Sequence, residues 1–230
     1  MIKKLLILSL LILSYNPINA QENADETGAW YMYFWNTAFG ESRFGLQGDV
    51  QYRDWKIIGD FQQLILRAGA TYKVNANIKL VLGYAYLNSG ALGESDATFS
   101  ENRIFQDINL PHKITERIAL NHRLRYEQRW IENQDFRTRY RYALFVSIPL
   151  NKTVLKKKKS LFLSLSNEVF INGQTDIGND RPVNYFDRNW LYGAIGYAFT
   201  DNLNMQLGML RQSTTNINKN SLQIGVHHSF

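Results

Sequence analysis

Hydrophobicity alternates residue by residue in long runs along this chain, and no other feature constrains its fold as tightly. Between residues 43 and 53, Phe44, Leu46, Val50 and Tyr52 fall on one side. Arg43, Gln47, Asp49, Gln51 and Arg53 fall on the other. A repeat of two is the signature of an extended strand, whose side chains point alternately to opposite faces. The pattern returns at 77–87 with Ile78, Leu80, Leu82, Tyr84 and Tyr86, and at 203–209 with Leu203, Met205, Leu207 and Met209. At 117–130 it sets Ile118, Leu120, Leu124, Tyr126 and Trp130 against Arg117, Asn121, Arg123, Arg125, Glu127 and Arg129. At 136–148 it sets Tyr140, Tyr142, Leu144, Val146 and Ile148 against Arg137, Arg139 and Arg141. Further strands are expected near 28–39, 61–74, 101–111, 159–172, 184–199 and 219–230. Eleven candidates result, most of them about 11 to 16 residues long, whereas globular strands run to about 5 or 6. A tilted strand that crosses a bilayer needs about 9 to 11 residues.

Alternation does not say which face points outward, because a soluble barrel hides its apolar face and a membrane barrel exposes it. Strand length favours the membrane form. So do the connections, which are short near 40–42, 75–76, 112–116 and 200–202 and long near 88–100 and 173–183. Aromatic residues expected near strand ends (Trp55, Tyr72, Tyr86, Trp130 and Phe199) suit the two interfacial girdles of such a barrel. The last strand ends in Phe230 and carries Gln223 and Gly225, and so resembles the assembly signal at the end of outer-membrane barrels. His228 stands where that signal usually has an apolar residue. The expected fold is an all-β, antiparallel, up-and-down transmembrane barrel of about twelve strands, within a range of 10–12. Bacterial barrels have even strand numbers, and eleven candidates leave the N-terminal closure open.

The start of the chain reads as a secretory leader. Lys3 and Lys4 precede an apolar run from Leu5 to Leu13, and Ala20 offers a small residue for cleavage. The expected organisation is a signal peptide over 1–20 and one barrel domain over 21–230, placed in the outer membrane of a Gram-negative envelope. There is no cysteine, which excludes a disulfide framework and a lipid-modified cysteine. The net charge of +6 falls to +4 without the leader's two lysines, too little to suggest nucleic acid. Lys156 to Lys159 form a charge run in an expected turn, either a solvated loop or a contact for anionic lipid headgroups.

The main polar constellation is the row of arginines on the non-apolar faces of two successive strands. Arg117, Arg123, Arg125 and Arg129 share one face; Arg137, Arg139 and Arg141 share the next; Glu127 sits among them. Arg53, Arg67, Arg103, Asp49, Asp107 and Glu168 have the same orientation. Like charges side by side across strands are unfavourable, so these rows need acids, water or an anion. One reading is a wall braced by arginine–carboxylate pairs. The other is an anion track, since the guanidinium fork binds two oxygens at once and rings of arginine favour anion passage.

Several segments resemble an uncharacterised outer-membrane barrel family, domain-of-unknown-function family 2490. They are Gly28-Ala29-Trp30, Gln51-Tyr52-Arg53, Gln63-Leu64-Ile65-Leu66-Arg67, Arg103-Ile104-Phe105-Gln106, Glu127-Gln128-Arg129 and Phe186-Asp187-Arg188-Asn189. The resemblance covers about 28 to 230 and implies a barrel in the outer membrane. It carries no assigned activity and hence no catalytic residue.

The functional expectation is therefore an outer-membrane barrel of unspecified role with an arginine-rich lumen. A small, porin-like, anion-favouring pore for acidic oligosaccharides or other anions is the second reading, and a lipid-modifying enzyme the third. No catalytic constellation is recognisable. His122 lies on the apolar parity, where Thr138 or Tyr140 of the next strand could pair with it, but no fixed serine accompanies it. Asp176 to Asp180 has the composition but not the spacing of a calcium loop. The two long connections could bind a partner or a surface polysaccharide. No metal and no cofactor are expected. The expected partners are outer-membrane lipid, the barrel-assembly machinery and small anions, and not nucleic acid.

Overall fold

The computed structural model describes residues 22–23, 26–93, 96–115, 117–152 and 157–230. The expected leader and Lys156 lie outside the described residues. The strands are β1 (Glu22–Asn23), β2 (Gly28–Ala38), β3 (Phe44–Asp54), β4 (Phe61–Asn75), β5 (Ile78–Gly90) and β6 (Thr98–Lys113). They continue with β7 (Ala119–Ile131), β8 (Arg137–Pro149), β9 (Leu161–Asn172), β10 (Phe186–Ala198), β11 (Leu203–Ser213) and β12 (Ile217–Ser229). All twelve belong to one sheet. From β2 to β12 each strand pairs antiparallel with the next. No helix occurs among the described residues.

The barrel closes on a parallel seam. β12 pairs with β2 from Ser221↔Gly28 to Ser229↔Asn36, and β1 prolongs the seam with Glu22↔Ile217 and Asn23↔Asn218. This resolves the odd strand count. An even number is required only when every neighbour is antiparallel, and one parallel pair lets eleven wall strands close. It also sets the two ends of the wall on opposite rims. β2 begins at the rim of connections 55–60, 91–97, 132–136, 173–185 and 214–216, the loop rim. β12 ends at the rim of connections 39–43, 76–77, 114–118, 150–160 and 199–202, the turn rim.

Local chemistry explains several turns. The hydroxyls of Thr115, Thr200 and Thr214 each accept hydrogen bonds from backbone N–H groups two and three residues on. Such side-chain turns satisfy backbone donors at the point where the ladder stops. Close strand approach uses glycine under an aromatic ring. A Cβ at Gly83 would lie 2.3 Å from the Phe105 ring, and one at Gly196 would lie 2.2 Å from the Phe162 ring. In both cases the ring's residue is the direct cross-strand partner of the glycine.

The burial pattern is inverted relative to a soluble domain. Leu82 is 60% exposed and Leu207 is 52% exposed, whereas Arg125, Glu127 and Arg139 are buried. Most wall strands thus turn an apolar side outward and a polar side into the barrel, and β2 is the exception, with Trp30, Met32 and Phe34 turned inward. One apolar patch does lie inside, where Ile65, Val81, Ala85, Leu87 and Phe105 cluster on β4 to β6. Of the expected rim aromatics, Trp130 meets Phe136 at 5.2 Å, Phe199 meets Tyr197 at 5.1 Å and Tyr72 meets Phe44 at 4.9 Å. Trp55 behaves differently. Its Nε1 donates to the carbonyl of Gly90 at 3.2 Å, and its ring borders the interior beside Lys219.

Candidate functional site

Three hairpin-linked strands, β6, β7 and β8, build the charged wall. Their register puts Asp107 opposite Arg125 and Glu127 opposite Arg139. Both oxygens of Asp107 are engaged by Arg125, from Nε at 2.6 Å and Nη2 at 2.7 Å. Glu127 accepts from Arg139 Nε at 2.8 Å and from Arg141 Nη1 at 2.7 Å. It also lies 3.8 Å from Arg103 Nη1 and 3.9 Å from Arg125 Nη1. Four guanidiniums therefore surround one carboxylate that is only 1% exposed.

The register also sets like charges face to face: two of these pairs are met by nearby acids, whereas in the third, Arg129 opposite Arg137, only Arg129 meets one. Arg103 lies opposite Arg129, and both grip Glu101 in two-pronged contacts, at 2.6 and 2.7 Å and at 2.5 and 3.1 Å. Arg125 lies opposite Arg141, and Arg141 turns away to Glu127 and to Glu168 of β9, 2.8 Å from its Nε. Arg123 reaches the same Glu168 oxygen at 2.6 Å. Arg139 spans to Asp187 of β10 at 2.8 Å. On the far side Arg67 grips Asp49 at 2.8 and 2.9 Å.

Six of the seven arginines in the expected rows enter this interior. Arg123, Arg125, Arg129, Arg139 and Arg141 join the lattice. Arg137 lines the cavity at the loop rim, with no carboxylate within salt-bridge distance among the described residues. Arg117 is a correction. It lies in the 114–118 turn and is exposed. Thr115 closes that turn by accepting from the N–H groups of Arg117 and Ile118, so the ladder, and with it the alternation, begins only at Ala119.

His122 is also placed differently. Its Nδ1 lies 2.8 Å from the Tyr142 hydroxyl, and its ring stacks on His112 at 5.1 Å. The β7–β8 register sets His122 opposite Leu144, out of reach of Thr138, which faces Gln128. In the segment expected to be an assembly signal, Gln223 is buried inside and Phe230 is exposed at the turn rim, its ring 4.1 Å from that of His228. His228 Nδ1 is 3.1 Å from the Tyr33 hydroxyl across the seam. In the 176–180 loop, Gly178 N–H donates to Asp176, and Arg181 donates to the Gly178 and Asn133 carbonyls. No group of three or more potential metal ligands occurs among the described residues.

Inside the wall lies a cavity of about 820 Å³. It runs from Ala91 and Phe99 at the loop rim to Asn121 and Ser147 toward the turn rim. A second cavity of about 410 Å³ opens beside Lys73 and Lys79. The two share Asn109 and Asn121 as lining residues, and Asn121 Nδ2 donates to Asn109 Oδ1 at 3.3 Å. The alternation put Arg53 on the inward face but did not show what surrounds it at the loop-rim end of the larger cavity. Arg53 lies over the Trp30 ring, 3.6 Å from its centroid, and donates to Gln63 at 2.8 Å and Gln51 at 2.6 Å. Trp30 of β2 touches Trp190 of β10 edge-on, their centroids 5.2 Å apart across the interior. The signal was present in the polar parity of Gln51 and Arg53, but the strand that meets Trp30, eight elements on, was not legible.

Residues 27–223 match the model of a family described as protein of unknown function (DUF2490). The chain belongs to this family. An uncharacterised protein of Methylorubrum extorquens is 31% identical over 156 residues, which cover 65% of this chain. The matched segment spans 64% of that relative's length. Within this DUF2490 barrel, Gln51, Arg53, Gln63, Arg67, Glu127, Arg129 and Arg188 come from the segments noted in the sequence, and all of them turn inward.

Proposed function

We propose that this DUF2490 member is an outer-membrane barrel whose arginine-rich lumen admits and conducts small anions. The membrane address is supported by the inverted burial: leucines, isoleucines and tyrosines face outward around the wall, on strands of 11 to 16 residues. A soluble monomer seldom exposes apolar patches beyond a few hundred Å², whereas a lipid-facing belt requires them. The leader expected over 1–20 and the Phe230 terminus support the same address, with lipid outside and the barrel-assembly machinery reading β12.

One observation carries the anion reading: inward arginines outnumber inward carboxylates. The arginines are Arg53, Arg67, Arg103, Arg123, Arg125, Arg129, Arg137, Arg139, Arg141 and Arg188. The carboxylates are Asp49, Glu101, Asp107, Glu127, Glu168 and Asp187. Ten arginines face six carboxylates among the described residues, and Lys79 and Lys219 add to the inward positive charge, so the lattice braces the wall and still leaves positive charge beside the cavity. Low-dielectric walls focus that excess and attract counter-ions. The test is reversal potential in planar bilayers under a potassium chloride gradient. Chloride preference is expected, weakened in Arg137→Gln; no conductance, or a preference for potassium, overturns the proposal.

A further inference from the structure

The interior is two-sided. In the ring of eleven wall strands, β7 stands opposite the β12–β2 seam. β6 to β8 carry the ion-pair lattice. The opposite surface is built by β11, the turn-rim part of β12, and β2, and it turns in no acid, lysine or arginine. Met32, Phe34 and Leu210 line the cavity there, with the amides of Gln206 and Gln223 between them. A Cβ built at Gly225 would make ordinary van der Waals contact with His227, Met32 and Phe34, the nearest atoms lying at 3.5 to 3.7 Å. The cavity extends to this uncharged side.

Arg53 sits where the two sides meet, on β3 beside β2. It is 7% exposed, and its hydrogen bonds go to two neutral glutamines rather than to a carboxylate. Its Nε is buried without an acceptor, and so is Nε1 of Trp190, whose ring centroid lies 5.6 Å from the Arg53 guanidinium. Both residues line the cavity. A buried donor without an acceptor is costly, and a carboxylate or similar oxyanion would satisfy both.

We infer that the cavity binds a carboxylate carrying an aromatic or short aliphatic body. Arg53 and Trp190 receive the head group, and the body lies along Met32, Phe34 and Leu210. This rests on the anion-admitting lumen proposed above and names its ligand class. It is preferred to an acidic sugar, because Met32, Phe34 and Leu210 offer ring hydroxyls no partner and the Gln206 and Gln223 amides are the polar groups between them. A volume of about 820 Å³ lies within the range of ordinary small-molecule sites, about 300 to 1,000 Å³.

The test is calorimetric titration of the full chain, folded in lipid nanodiscs, with benzoate, glucuronate and acetate, subtracting empty nanodiscs. Benzoate is expected to bind at least about tenfold more tightly than glucuronate. Arg53→Gln should weaken benzoate about tenfold, and Leu210→Gln should weaken benzoate but not acetate. Should Arg53→Gln fail to fold, as judged by loss of heat-modifiable mobility on gels, Trp190→Phe removes one donor and should weaken benzoate several-fold. Glucuronate binding as tightly as benzoate, or benzoate binding unmoved in the folded variants, overturns the inference. Chloride-selective conductance without benzoate binding sinks this inference alone. Benzoate binding that responds to these variants, in a barrel without anion-selective conductance, supports this ligand and sinks the pore reading.

Discussion

Replacing Glu127 by glutamine removes one negative charge from the centre of four guanidiniums and leaves the side-chain shape almost unchanged. Arg139 and Arg141 donate directly to this carboxylate, and Arg103 and Arg125 stand within 4 Å of it. Taking one partner from a buried ion pair costs about 3–5 kcal/mol, because the remaining charge is left in a poor solvent. Two features argue for the lower end. Glutamine keeps one acceptor oxygen, and the two directly bound arginines retain other acids, Asp187 for Arg139 and Glu168 for Arg141. The expected loss is thus about 3 kcal/mol. With a urea dependence of about 3 kcal/mol per molar, the upper part of the range for small proteins, the unfolding midpoint falls by about 1 M. Tryptophan fluorescence of the barrel in lipid vesicles, titrated with urea, reads this directly. A second variant sharpens the test: adding Arg139→Gln to Glu127→Gln removes one of the four cations that the lost carboxylate had balanced and should recover part of the loss, a coupling expected for residues in contact. A midpoint within about 0.3 M of the unaltered protein would refute the reasoning. It would mean that the guanidiniums are solvated by interior water rather than held by the carboxylate.

Two further outcomes test the architecture. The parallel seam places Tyr33 directly beside Val226 on the outer face. The chain has no cysteine of its own, so Tyr33→Cys with Val226→Cys should give one disulfide in the folded barrel, seen as resistance to the heat-induced gel shift. Free thiols in folded protein would argue against the seam. At the aromatic-covered glycine, Gly83→Val drives a side chain into the Phe105 ring and displaces the platform under Arg125, whose guanidinium lies 4.3 Å from that ring. Overpacking of this kind costs about 1–3 kcal/mol. An unchanged urea midpoint would show that the ring can yield.

The barrel was legible because period two is a local property. The runs at 43–53, 117–130 and 136–148 each announce a strand, and each assigns its residues to one of two faces before any partner is known. Face assignment succeeded for Arg123, Arg125, Arg129, Arg139 and Arg141. It failed for Arg117, where the Thr115 hydroxyl closes a turn and takes the residue out of the ladder. Pairing was less accessible. His122 meets Tyr142 because of the offset of one hairpin, and alternation is unchanged by a shift of two residues.

What the sequence determined by itself was the all-β character, the family, and a charged face opposite an apolar one on strands such as those at 117–130 and 136–148. These follow from residue order within single segments. Tertiary structure alone decided how the sheet closes, which acid each arginine meets, and that Trp30 and Trp190 touch across the interior. The closure and the tryptophan contact join residues separated by most of the chain, and the ion pairs depend on the register between strands. Only the parallel seam between β2 and β12 closes the wall so that the charged strands face an uncharged side.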